Sequence, residues 1–127
     1  MKIFINNINE NWVVDNVISE WTDFQAEITS NQLKYADIVW IIAPWTWRKL
    51  QKRKIKGKKV ICTIHHIDFE KFDDKEKSEF YKRDKFVDFY HTVSFKTKEQ
   101  LETLTNKKIY VIPFWINQDI FLILIKS

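Results

Sequence analysis

The apolar run Val60–Ile64 ends in His65, His66 and, two residues on, Asp68. Imidazole and carboxylate side together can move protons near neutral pH, hold a hydroxyl, or orient one another. The chain has only three histidines, so this is a concentration of scarce chemistry. If the run is a strand, the pair sits at its C-terminal end, where open α/β sheets bind ligands. Successive strand side chains point to opposite faces, so His65 and His66 diverge. The third histidine, His91, lies inside another apolar run, which argues against these residues converging with Asp68 on a metal. For His66 a plain strand-end role is favoured, with Asp68 placed to orient one ring. Cys62 sits mid-run and reads as a small buried hydrophobe rather than a nucleophile.

A second segment, WTWRKLQKRKIKGKK, joins Trp45 and Trp47 to Arg48, Lys49, Lys52, Arg53 and Lys54. Arg48–Lys59 holds eight Lys/Arg and no acid, and the rest of the chain has 13 basic against 17 acidic residues. The net charge of +4 therefore comes from one place, which suggests an anionic partner at one edge. Tryptophan beside dense positive charge suits an anionic membrane surface. It also suits nucleic acid, through phosphate neutralisation and stacking. The acidic balance elsewhere disfavours a dedicated nucleic-acid binder. The plain alternative is a solvated basic face with both tryptophans packed beneath it.

The elements that must position these residues alternate. Lys2–Asn6 reads as a strand. Asn7 and Glu10 then have capping-box spacing, and apolar residues from Val13 to Phe24 follow at helical intervals. Ala26–Thr29 is a candidate edge strand. Asp37–Ala43 and Lys59–Ile64 are β-branched runs of the kind covered on both faces. Trp45–Arg53 looks helical and Gly57 ends it. The charged stretch Asp73–Val87 reads as a solvated helix. Phe89–Ser94 is a strand, Lys96–Leu104 a helix and Ile109–Pro113 the last strand. Alternation with right-handed crossovers implies an α/β domain with a mostly parallel sheet of five or six strands. Every strand-to-helix turn then falls on one edge, gathering Asn6, Asn7, Pro44, Trp45, His65, His66, Ser94, Phe95, Phe114 and Trp115.

At that edge Ser94 is placed to cap a helix, and a ligand contact is compatible with the same position. Asn7, Asn9 and Glu10 can meet hydroxyls, although capping alone explains Asn7 and Glu10. Trp115 is placed to stack on a sugar or to pack against a partner domain. The single glycine excludes the dinucleotide fingerprint and the phosphate-binding P-loop, both of which need several. One cysteine excludes an internal disulfide framework, and the polar start is unlike a signal peptide, so a cytoplasmic protein is expected, with peripheral contact to the inner membrane face as an extension.

Three segments in order carry a resemblance: KKVICTIHHID, DFYHTVSFKTKEQL and KKIYVIPFWINQDIF. Together they resemble the N-terminal, acceptor-side half of retaining glycosyltransferases of the GT-B fold. Thr63 to His65 match a strand ending Thr-x-His. Val93, Ser94, Lys98, Glu99 and Leu101 match a Val-Ser strand end and its helix. Val111, Ile112, Pro113, Ile116 and Phe121 match a Val-Ile-Pro segment, with Phe114 and Trp115 in place of the usual Asn-Gly. The resemblance implies a three-layer Rossmann-like domain over residues 1–121, followed by an apolar tail at 122–127 where an interdomain linker would start. It implies transfer of a sugar from a nucleotide sugar to a saccharide or lipid-linked acceptor, with His65 as the catalytic-edge residue. Asn7, Asn9, Glu10, His66, Asp68, Ser94 and Trp115 would bind substrate. No cofactor is expected in this chain, because the nucleotide sugar would sit mainly on a separate C-terminal donor domain. Without that partner the chain is expected to be inactive, and its apolar FWI and FLILI segments to favour self-association. The alternative is a non-catalytic binding module using the basic Arg48–Lys59 edge.

Overall fold

The computed structural model describes residues 2–6, 32–42 and 44–112. Five strands form one sheet: β1 (Ile3–Asn6), β2 (Ile38–Ile41), β3 (Lys59–Ile64), β4 (Phe89–Thr92) and β5 (Lys108–Val111). They lie in sequential order and every neighbouring pair is parallel. Between them come a 3-10 turn (Leu33–Tyr35), a 3-10 helix (Pro44–Lys49), α1 (Lys52–Ile55), α2 (Asp74–Asp84) and α3 (Phe95–Glu102). The fold is α/β and Rossmann-like, as the alternating runs imply.

Strand periodicity divides the sheet residues into two sets. Val39, Ile41, Val60, Cys62, Ile64 and Tyr90 belong to one apolar core, which also takes Ile55 of α1, Phe80 of α2 and Leu101 of α3. All three helices therefore pack on the same face. Sequential strand order joined by right-handed crossovers requires this. The alternate residues Ile3, Ile38, Trp40, Ile61, Thr63, Phe89 and His91 are buried as well, so the sheet is covered on both faces. An order reversal, which creates the ligand crevice of doubly wound sheets, does not occur among the described strands. The expected edge strand Ala26–Thr29 and the expected helix to Phe24 lie outside the described residues.

The leading ends of the strands are held by aspartates. Asp88 accepts from the Val60 amide at 2.6 Å, and its own amide donates to the Val60 carbonyl at 2.8 Å. Asp37 accepts from the Lys2 amide at 3.0 Å. Asp84, at the end of α2, accepts from Tyr90 Oη at 2.5 Å and Thr105 Oγ1 at 2.9 Å, tying the helix to β4 and to the approach to β5.

The continuous helix expected over Trp45–Arg53 is instead two short pieces. Trp47 packs against Phe86 with ring centroids 5.7 Å apart, and Trp47, Leu50 and Ile55 all contact the core. The chain leaves the helical path at Leu50–Gln51, between the two pieces. Gly57 then closes the excursion with φ +82°, a left-handed turn that glycine adopts at little cost. Nor is α2 simply a solvated helix. Asp73 caps it, accepting from the Glu76 amide at 2.9 Å, while Phe80 and Arg83 are buried along it.

Candidate functional site at the trailing edge of the sheet

On the face opposite the three helices, a chain of hydrogen bonds crosses the sheet. Trp40 Nε1 on β2 donates to Thr63 Oγ1 on β3 at 2.8 Å. Thr63 Oγ1 lies 3.0 Å from His91 Nδ1 on β4, its direct neighbour in the register. His91 Nε2 lies 2.6 Å from the carbonyl oxygen of Ile112, one residue beyond β5. A carbonyl oxygen can only accept, so Nε2 carries the proton. Nδ1 of the neutral ring is then the acceptor, and the Thr63 hydroxyl donates to it. Every donor and acceptor in the row has one consistent assignment. Burial holds the His91 imidazole well below its ordinary 6.5, at about 4, while the bond to Ile112 and the proximity of His65 are smaller influences.

His65 repeats the device one strand over. Its Nε2 donates to the carbonyl of Ile42, one residue beyond β2, at 2.9 Å. Burial lowers its pKa from the usual 6.5, outweighing the opposite pull of the Ile42 bond, with His66 lowering it further. His65 thus does act as a strand-end cap at Nε2. The ring also lines a cleft of about 360 Å³ at the trailing end of β3, beside His66, Asp68, Phe72, Glu76 and Arg83. The Asp68 carboxylate accepts from the Glu70 amide at 3.1 Å and shapes the turn in which it sits. The cleft therefore combines an imidazole held in one tautomer, exposed carboxylates and an aromatic ring, a set able to bind hydroxyl groups.

Ser94 follows β4 on the same edge. It caps α3, accepting from the Thr97 amide at 3.2 Å and donating to Thr97 Oγ1 at 2.9 Å. The next residue, Phe95, is 71% exposed. Asn7, Asn9, Glu10 and Trp115 lie outside the described residues, as do Phe114 and the segment after Ile112. Cys62 is fully buried, and burial pushes its thiol up to about 11, which suits a packing role. Among the described residues no group of three or more His, Cys, Asp or Glu is placed to hold a metal.

The basic segment does not share this edge as a block. Arg48 follows β2 and is paired with Glu79 at 2.8 Å. Lys52 and Arg53, on α1, line a basin of about 480 Å³ with Lys56, Lys58, Lys85, Lys107 and Asp88, where β3 begins. Lys54 is exposed on α1. Trp47 is turned into the core, and Trp45 and Lys49 lie in the 3-10 helix. No helix among the described residues is long and apolar enough to cross a membrane.

Two residues of interest carry no functional role in the sequence reading. Arg83 is buried in a stretch that reads as solvated, and the signal was its spacing of three from Phe80, which places both on one side of α2. His91 reads as a strand filler, and its partners lie 28 and 21 residues away. Comparison with family models, with curated proteins and with solved structures finds no match.

The His91 assignment sets a pH dependence. A histidine whose folded pKa is depressed contributes stability in full above its unfolded value and loses it as pH falls through the folded one. Between 6.5 and about 4 the loss amounts to roughly 3 kcal/mol. The urea midpoint of the native chain is expected to drop steadily from pH 6.5 to 5, above the range of ordinary carboxylates. In His91→Gln, which does not titrate, that part of the slope disappears.

Proposed function

We propose that this chain is a sugar-handling α/β domain, the acceptor-side half of a GT-B type glycosyltransferase. The observation that carries this is the cleft at the trailing end of β3, with His65, His66 and Asp68 on its wall. Ile64 and His65, the last two residues of the segment resembling the family's Thr-x-His strand end, therefore line an open cavity on the edge where parallel sheets take ligands. The parallel register of β3 and β4 supports the same reading, since it sets Ser94 on that edge beside the second matching segment.

In this proposal the chain binds and orients an acceptor hydroxyl, and a nucleotide sugar held by a donor-binding domain supplies the glycosyl group. The bond between the anomeric carbon and the leaving phosphate breaks, and the bond to the acceptor oxygen forms. The acceptor proton leaves with the diphosphate or with solvent. Asp68 and Glu76 accept hydrogen bonds from acceptor hydroxyls. Phe72 offers an apolar wall to a pyranose face. His65 fixes the trailing end of β2 through Ile42 and presents its ring to the cleft. Its role is to position, and the chain alone is expected not to turn over.

The basic basin supports a second reading, a module that docks on an anionic surface, since its six cations come from three separate stretches of sequence and lie around one hollow. Lys58 and Lys107 there also donate to main-chain carbonyls, which leaves Lys52, Arg53, Lys56 and Lys85 to face a partner.

The two readings separate in binding experiments. Oligosaccharide added to the 15N-labelled chain is expected to shift amide signals over residues 64–72 and 76–83. His65→Ala is expected to weaken that binding several-fold, and shifts confined to the basin would contradict the acceptor reading. For the docking reading, co-sedimentation with phosphatidylserine vesicles is expected to fall steeply between 50 and about 200 mM salt and to vanish in Lys52→Glu/Arg53→Glu. Equal sedimentation with neutral phosphatidylcholine vesicles would exclude it.

A further inference from the structure

The cleft beside β3 is lined by a buried arginine that has no ion pair among the described residues. Arg83 is 6% exposed, yet it lines the cavity. Its Nε is buried without a hydrogen-bond partner. Its Cζ lies 5.1 Å from the centroid of the Phe80 ring, a favourable contact that satisfies none of the N–H groups. No ion pair joins Arg83 to another described residue. Nearby carboxylates are already engaged: Glu79 by Arg48, and Asp84 by Tyr90 and Thr105. A guanidinium does not shed its proton when buried, and an unpaired buried charge is costly. On α2 the residue is buried three positions after Phe80, on the same side of the helix.

The mouth of the cleft has the opposite character. Asp68 and Glu76 are exposed there, together with His66 and Lys71. Two carboxylates at the entrance disfavour a bare anion. They favour a ligand that brings hydroxyl donors past them, with its negative group leading inward. We infer that the cleft binds a small phosphorylated polyol, its phosphate seated on the Arg83 fork and its hydroxyls on Asp68 and Glu76. A guanidinium offers two parallel N–H bonds that match phosphate oxygens. Lys71 and His66 add donors at the mouth. A volume of about 360 Å³ suits a ligand of monosaccharide size. This names a ligand class for the cleft that the proposed function assigns to an acceptor, but it stands on Arg83 and not on sugar transfer.

The test follows the Arg83 Nε–H signal by NMR in the full-length chain, with inorganic phosphate, a hexose phosphate and the unphosphorylated hexose as separate probes at constant ionic strength. Phosphate is expected to move the Nε–H signal with saturation, and hexose phosphate to bind about tenfold tighter. Arg83→Lys is expected to weaken both about tenfold or more, and Arg83→Met to abolish phosphate binding. An Nε–H signal unmoved by phosphate overturns the inference in the native chain, whether or not either variant folds. So does phosphate binding that survives in a folded Arg83→Met. Equal affinity for inorganic phosphate and hexose phosphate overturns the polyol assignment. Binding of unphosphorylated oligosaccharide at residues 64–72 without any phosphate effect would leave the acceptor reading standing and remove this one. Phosphate binding at Arg83 without saccharide binding would do the reverse.

Discussion

One neutral imidazole ring holds the second face of the sheet together. His91 accepts from Thr63 and donates to Ile112, so a single side chain connects β3 and β4 with the residue that follows β5. Trp40 extends the row to β2. The Ile112 amide also donates to the Thr92 carbonyl at 2.9 Å, so both polar atoms of that peptide position are fixed. Parallel ladders leave main-chain groups unmatched where strands end, and a buried carbonyl without a donor is costly. His91 meets that need at β5 and His65 meets it at β2. Protonating His91 would add a second donor where the Thr63 hydroxyl already donates. Its burial and its hydrogen bonds thus demand the same protonation state.

This gives the two edges of the sheet different chemistries. Aspartates hold the strands where they begin, and the cationic basin lies on that side. Histidines hold them where they end, and the cleft opens there. An edge pinned in this way is a rigid support for binding groups, since His65 cannot rotate without releasing the Ile42 carbonyl. The cleft's own polarity, carboxylates outside and a guanidinium within, follows from α2. That helix turns Phe80 and Arg83 toward the core and leaves Glu76 in solvent.

Much of the fold was legible in the sequence because buried parallel strands announce themselves. Val60–Ile64 is a continuous apolar run, and β3 spans Lys59–Ile64 as its composition implies. Ser94 as a helix cap was also legible, since capping needs only local partners. What was not legible depends on distant partners. Arg48 reads as part of a cationic run until Glu79, 31 residues on, neutralises it. Lys85 and Lys107 join the basin only after β3, β4 and β5 bring their loops together. Trp45–Arg53 has helical composition, but the structure divides it at Leu50–Gln51 into a 3-10 piece and the start of α1. Arg83 was hidden by its neighbours, since a charged residue amid Lys, Asp and Glu looks solvated until its spacing from Phe80 is weighed.

The most direct measurement is the tautomer and charge of His91, read from the ring nitrogen signals of the 15N-histidine-labelled chain across pH 7.5 to 5. The hydrogen-bond row requires Nε2 to carry the proton and Nδ1 to remain bare throughout. A proton on Nδ1 at neutral pH, or a His91 ring that becomes doubly protonated near pH 6.5, would contradict it.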